Sequence, residues 1–241
     1  MKNPPWLLAI PGTLEAGRTV VLDPTEAQHL TGALRRRSGD EIVLADGEGW
    51  IAEARLLTIG RGRVEAEVLS LHQEPAPVSD GVTVGLAMVS GRSMDWAVQK
   101  AVEIGVRRFV PMETERAQIR QGGIGPRIDH WRRISMQALK QCRRPWAMEI
   151  SDVVPLPTLV DRESTNGGGV VADGEGIAIG ELSEEAGNLL VVGPEGGFTA
   201  EENELFDRRG WPRLRLGRHV LRSETAAVIG GAMMVARSEK R

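Results

Sequence analysis

The densest chemical signal in this sequence is Leu189-Leu-Val-Val-Gly-Pro-Glu-Gly-Gly-Phe-Thr-Ala-Glu-Glu202. Apolar strand formers run into Gly193, Pro194, Glu195, Gly196 and Gly197, and a helical pattern follows. Thr199 and Glu202 have capping-box spacing, which fixes where that helix starts. Glycine admits positive φ and lets backbone N–H and C=O groups approach a ligand closely. In open α/β sheets ligands bind at the carboxyl ends of strands. A tight strand-to-helix turn alone needs less than three glycines and a proline around one carboxylate, so the segment reads as a ligand loop.

A second cluster is Leu214-Arg-Leu-Gly-Arg-His-Val-Leu-Arg-Ser-Glu-Thr225, followed by the small-residue run Ala226–Val235. Ser223 is the expected N-cap. Arg222, Glu224 and Thr225 then stand at a helix N-terminus beside a cleft. Gly230 and Gly231 each weaken a helix by about 1 kcal/mol, so their presence predicts close packing against another backbone. Three other features carry less. Asp173-Gly174-Glu175-Gly176 follows a strand run but misses the dinucleotide fingerprint spacing, and no helix pattern opens there. His29, His72, His130 and His219 lack metal-ligand spacing, and the lone Cys142 excludes a Cys-based zinc site and an intrachain disulfide, so no metal is expected. Cys142 itself reads as a buried or incidental thiol.

These residues need a scaffold, and 241 residues suffice for one large domain or two small ones. Gln73-Glu-Pro-Ala-Pro-Val-Ser-Asp-Gly81 has no apolar periodicity and reads as a linker. It separates residues 1–72 from residues 82–241. Before it, strand-like runs cover 18–22, 41–45, 50–57 and 63–71, with one helix over 25–36. Several short strands in so few residues predict a small β-barrel. After it, strand runs at 82–88, 108–112, 169–172 and 189–192 alternate with helical patterns at 94–104, 127–141, 200–209 and 224–237. That alternation predicts a parallel α/β sheet.

Hydrophobic residues make up 41% and charged residues 26%, ordinary for a soluble globular chain. No apolar run reaches membrane-spanning length, and no signal peptide is read at the start, so a cytoplasmic protein is expected. The net charge of −3 argues against coating nucleic acid by bulk charge. The basic residues are 26 Arg and 4 Lys, and six of them fall in each of 127–144 and 207–222, against one acid apiece. Such patches suit a phosphate-rich partner; two solvated helix faces account for the charge equally well.

Taken together the motifs resemble the RsmE family of ribosomal RNA methyltransferases, within the SPOUT superfamily. The resemblance spans nearly the whole chain: His29-Leu30, Leu34-Arg35, Gly39-Asp40 and Asp46-Gly47 in the first part. In the second it runs through Gln99–Val106, Pro111, Thr114-Glu115-Arg116, Gln141–Arg144, Gly193–Phe198, Leu216-Gly217 and Leu221–Ala226. The chain departs from the family pattern at Ile104, where Leu is usual, and at Arg143, where Gly is usual.

The resemblance implies a PUA-like RNA-binding barrel followed by an α/β domain with a trefoil knot, and a homodimer. It implies S-adenosylmethionine as methyl donor and N3 of a uridine in small-subunit ribosomal RNA, near the decoding centre, as acceptor, with free RNA or the assembled subunit as partner. The donor site falls on Gly193, Pro194, Glu195, Gly196, Gly197, Leu216, Gly217, Leu221 and Thr225. Arg222 is expected to stabilise charge on the uracil oxygens. Glu224 is either the base for the N3 proton or a complement to the helix N-terminus. His29, Arg35, Arg36, Arg116 and Arg144 are the expected RNA contacts. The apolar C-terminal helix, with Gly230, Gly231, Ala232, Met233 and Met234, carries the expectation of a dimer through the second domain. Three rivals remain open: methylation of a ribose hydroxyl, a non-catalytic assembly factor that keeps the Arg patches without the glycine loops, and a small-molecule enzyme that keeps the loops without the barrel.

Overall fold

The computed structural model describes residues 4–60, 63–76, 81–117 and 125–240. It divides into two compact units, Met1–Pro77 with Leu139–Ala147, and Val78–Ala138 with Met148–Arg241.

The first unit contains β1 (Trp6–Leu8), β2 (Thr19–Val21), α1 (Pro24–Gly32), β3 (Glu41–Ala45), β4 (Trp50–Gly60) and β5 (Arg63–Gln73). The strands form one mixed sheet in the order β1-β3-β4-β5-β2, with β1 parallel to β3 and the other pairs antiparallel. Period-two alternation turns one face of every strand to a single core. Leu7, Val20, Ile42, Leu44, Ala52, Ala54, Leu56, Val64, Ala66 and Val68 meet there, and Ala27 and Leu30 of α1 cover them. No pair between the edge strands β1 and β2 closes a barrel among the described residues.

Helix α1 starts where the sequence dictates. Asp23 caps it by accepting the Thr25 N–H at 2.8 Å, and Pro24 takes the first turn. It ends earlier than the expected 25–36, at Gly32. The N–H groups of Leu34 and Arg36 turn back to the carbonyls of His29 and Leu30, and Arg35 is left-handed at φ 49°.

Residues 82–241 were expected to form the second domain without interruption, but Leu139–Ala147 packs with the first unit. Lys140 Nζ donates to Glu26 at 3.0 and 3.3 Å, both side chains being buried. The Trp146 ring lies so close over Gly49 that a Cβ there would clash with it. Ala147 N–H donates to the Gly47 carbonyl at 2.8 Å. A helical pattern does not reveal that its last turn docks elsewhere. Arg143 in this segment has φ 59°, the left-handed conformation that a glycine adopts without cost. Cys142 is exposed rather than buried.

The second unit contains β6 (Thr83–Ala87), α2 (Gly91–Glu103), β7 (Arg108–Glu113), α3 (Gly125–Cys142, whose last turn is the Lys140 segment above), β8 (Glu149–Ile150), β9 (Val154–Pro155) and α4 (Leu156–Ser164). Then follow β10 (Gly169–Ile177), a single 3-10 turn, β11 (Leu189–Val192), α5 (Ala200–Arg208), β12 (Arg213–Leu214) and α6 (Ser223–Ser238). The strands pair in parallel in the order β12-β10-β11-β6-β7-β8, with β9 also on β7.

Both faces of this sheet are covered, which explains its unbroken apolar strands. Leu189 and Val191 face Leu159, Val160, Phe206 and Trp211 from the α4 and α5 side. Leu190 faces α6, where a Cβ on Gly230 would stand 2.5 Å from its Cδ2. Gly231 lies against Val84 and Ile104. The two glycines therefore serve close packing, but what they admit is side chains rather than the expected backbone, and it is α6 against β11, β6 and α2 that they bring together. No helix among the described residues is long and apolar enough to cross a membrane.

Candidate active site

The carboxyl ends of β10, β11 and β12 open into a pocket of about 210 Å³. Its first wall is the loop after β11. Gly197, at φ 67°, donates its N–H to the Pro194 carbonyl at 2.8 Å and closes a tight turn. Gly193 lets the backbone pass the Phe198 ring, which a Cβ would meet at 3.0 Å. Thr199 caps α5 by accepting the Glu202 N–H, while Glu202 Oε2 accepts the Thr199 N–H at 2.9 Å. This is the expected capping box, and it does one thing more. The other oxygen of buried Glu202 accepts the Glu115 N–H at 2.8 Å, tying the segment after β7 to this helix start.

Arg116, expected to touch RNA, donates to the Gly196 carbonyl at 2.8 Å and more distantly to that of Phe198. Its guanidinium thus braces the glycine loop. The neighbouring Glu201 carboxyl is held below its usual pKa by its own backbone N–H, then by the Thr199 hydroxyl, and lastly by the Arg116 charge.

The second wall is the segment after β12. Leu216, Gly217, His219, Val220 and Leu221 line the pocket, and Ser223 and Ala226 of α6 complete it. Of the expected donor-site residues, Gly193, Pro194, Glu195, Gly197, Leu216, Gly217 and Leu221 line the pocket; Gly196 and Thr225 stand next to lining residues without lining it. The helix cap is one residue earlier than expected. Arg222 is the N-cap, with no side-chain cap bond, and Ser223 is the first helical residue. The Arg222 side chain is exposed and has no ion-pair partner among the described residues. Glu224 is half-buried and accepts a hydrogen bond from Ser93.

The third wall was not foreseen. Asp173 and Gly174 line the pocket, although their segment fails as a dinucleotide fingerprint. Asp173 is held by Arg213 at 3.2 Å, and Arg213 also donates to Asn203 and Asp207. The signal for this wall was the position of an acid and a glycine just after the buried run that opens β10, independent of any motif. A larger cleft of about 600 Å³ opens at the opposite, amino ends of the strands. Its Arg108 is committed to Glu163 at 2.5 Å and to Thr83, and parallel sheets present ligand sites at the other end.

In the first unit, His29 is half-buried in the last turn of α1, and Arg35 and Arg36 follow in the turn after it, Arg36 lying 3.9 Å from Asp40. Arg144 lies in the segment that returns to this unit.

A parallel sheet with a glycine-walled pocket at its carboxyl ends suits a nucleotide-like ligand, and sequence relationships give the class. The RNA methyltransferase domain family matches residues 75–235. The ribosomal RNA small subunit methyltransferase E of Aquifex aeolicus is 31% identical, over 88% of this chain and 92% of its own. The Neisseria gonorrhoeae ribosomal RNA small subunit methyltransferase E, solved bound to S-adenosyl methionine, is 28% identical with a TM-score of 0.85, covering 97% of both chains. A Legionella pneumophila protein described as a methyltransferase, in complex with the same cofactor, is 26% identical with a TM-score of 0.87 over 97% of both chains. The chain belongs to the ribosomal RNA small subunit methyltransferase E family.

Proposed function

We propose that this chain transfers a methyl group from S-adenosylmethionine to N3 of a uridine in small-subunit ribosomal RNA near the decoding centre. One observation carries the reading. The two loops after β11 and β12 converge on one pocket at the carboxyl ends of the sheet, with Arg222 and Glu224 at the helix N-terminus beside it. The pocket suits the donor. The loop backbones offer N–H and C=O groups to an adenine edge, Val192, Leu216 and Leu221 offer apolar surface to its faces, and Asp173 and Glu195 place carboxylates by a cationic ligand. The donor supplies an electrophilic methyl on sulfonium.

The protein's own residues do the rest. The loops hold the donor so that the methyl and N3 align for in-line displacement, and alignment supplies much of the rate. Uracil N3 carries a proton at neutral pH. Glu224 takes that proton, and Arg222 stabilises the negative charge left on the uracil oxygens. The N3 lone pair then forms the C–N bond as the S–C bond breaks. Arg35, Arg36 and Arg144 contact RNA phosphates or bases, and His29 is a further RNA contact.

The same reading takes the second unit as a SPOUT domain with a trefoil knot, the first as a PUA-like RNA-binding domain, and the setting as the cytoplasm. It also takes the working form as a homodimer, on a narrower basis than the sequence suggested. Gly230, Gly231 and Met234 are buried in the subunit's own core, so they offer nothing to a partner, while Ala232 and Met233 are half-buried. Trp96 on α2 and Ile229 on α6, 41% and 42% exposed, remain as apolar outer surface, and two-fold dimers are the commonest oligomers. Sedimentation at micromolar concentration is expected to give twice the chain mass; a monomer there removes the dimer.

The function is tested by incubating the protein with tritiated S-adenosylmethionine and undermethylated small subunits, then analysing nucleosides. Label is expected in 3-methyluridine. Label in a ribose-methylated nucleoside would move the chain to the sister reaction, and no label with retained RNA binding would make it an assembly factor.

A further inference from the structure

The N-terminus of α6 has a neighbour that the mechanism above leaves unused. Ser93 Oγ, on α2, donates to Glu224 Oε1 at 3.0 Å across 131 residues of sequence. One turn earlier, the Ser90 hydroxyl donates to Ser93 Oγ at 3.3 Å. Ser90 stands at the α2 N-cap but makes no side-chain cap bond, so this hydroxyl is spent on Ser93 instead. Glu224 Oε2 has no protein donor among the described residues.

Ser223 and Ala226 line the donor pocket and Glu224 does not. Successive helical residues point about 100° apart, and the Ser93 contact shows that Glu224 leaves α6 on the α2 side. Its carboxylate is therefore beside the pocket rather than in it, the place for a group that meets the acceptor and not the donor.

We infer that Ser93 is a positioning residue for methyl transfer: its hydroxyl fixes one oxygen of Glu224 so that the other faces the uracil N3 proton. The inference rests on the reading of Glu224 as the base. A glutamate carboxylate swings about three side-chain torsions, and misplacement of a reacting group by 1 Å can cost about 10²-fold in rate. Pinning Oε1 removes that freedom while Oε2 stays open to accept the proton. A hydrogen bond from Ser90 polarises the Ser93 hydroxyl and strengthens its own donation.

The test compares Ser93→Ala, Ser93→Thr, Glu224→Gln and the Ser93→Ala/Glu224→Gln double variant of the full chain. Single-turnover methylation of undermethylated small subunits is measured at saturating tritiated S-adenosylmethionine, with calorimetric donor binding alongside. Ser93→Ala is expected to slow turnover on the order of tenfold, within the range of small misplacements, with donor affinity unchanged. Ser93→Thr keeps the hydroxyl and should restore most of the rate. Glu224→Gln should lose at least about 10²-fold, the range for a general base, and the double variant should be no slower than Glu224→Gln, because the two residues act as one unit. Wild-type turnover by Ser93→Ala beside a slow Glu224→Gln overturns the inference and leaves the base in place. Wild-type turnover by Glu224→Gln overturns the base itself, and the inference with it. Losses that multiply in the double variant, or a Ser93→Ala defect confined to donor affinity, also overturn it, because Ser93 would then act elsewhere.

Discussion

Arg222→Ala is expected to slow single-turnover methyl transfer by about 10²–10³-fold, the loss typical of one charge-stabilising donor once bound RNA covers the exposed guanidinium and excludes water, while donor affinity stays close to wild type. The sulfonium donor is a cation, and a second fixed cation does nothing for its ground-state binding. Negative charge appears on uracil only as N3 loses its proton, and there a guanidinium helps. Arg222→Lys keeps the charge but loses the planar fork, so its rate should fall between the two.

A merely structural Arg222 would pair with a loop carboxylate, and the structure gives no sign of that. The side chain is exposed without an ion-pair partner among the described residues, and Glu224 is bonded to Ser93. A cation at a helix N-terminus also opposes the macrodipole, typically by 0.3–1 kcal/mol, a cost with no visible return in the fold. Calorimetric donor binding beside single-turnover methylation decides the matter. Near-normal turnover with weakened donor binding would end the catalytic assignment.

What the sequence disclosed follows from where the information is local. Strand and helix periodicities in both units are local, and so are the Thr199–Glu202 box and the glycine turn after β11. Each is visible within a few residues, and each is present in the structure. The pairing of β11 between β10 and β6 is not local, and no pattern within Leu189–Val192 specifies its neighbours. The short strands β1, β8, β9 and β12 escaped because two or three residues carry no period, and α4 because two prolines open its first turn. Arg116 shows the same limit for function. Its type and motif suggested RNA, and its hydrogen bonds to the Gly196 and Phe198 carbonyls, 80 and 82 residues away, add a loop-bracing part that only the fold discloses. Asp173 was set aside for failing a motif, although its position after the buried run of β10 was the better guide. Arg143 is the reverse case. It stands where the family usually has glycine, and its left-handed φ shows an arginine holding a conformation that suits glycine.

The largest expected loss of stability is at the return of the chain to the first unit. Lys140 and Glu26 are 7% and 3% exposed at the side chain and hydrogen-bonded through both carboxylate oxygens. Removing one partner of such a pair strands a buried charge and typically costs 3–5 kcal/mol. Lys140→Met should therefore lower stability by about that amount, a large part of the 5–15 kcal/mol that holds a typical domain. The double variant Glu26→Leu/Lys140→Met removes both charges, and apolar replacement of a buried pair is often neutral or stabilising, so it should recover most of the loss. Denaturant unfolding of the wild type, the single and the double variant measures all three. A Lys140→Met chain as stable as wild type would show that the pair is solvated and incidental. The contact reaches beyond stability, because Lys140 lies one turn before Arg143 and Arg144. In the proposed reading Arg144 grips RNA from the first unit, and the Glu26 bond helps hold this segment there, alongside the Trp146 and Ala147 contacts. Lys140→Met should then weaken ribosomal RNA binding at temperatures where the chain is still folded, and the double variant, with the apolar contact restored, should regain it.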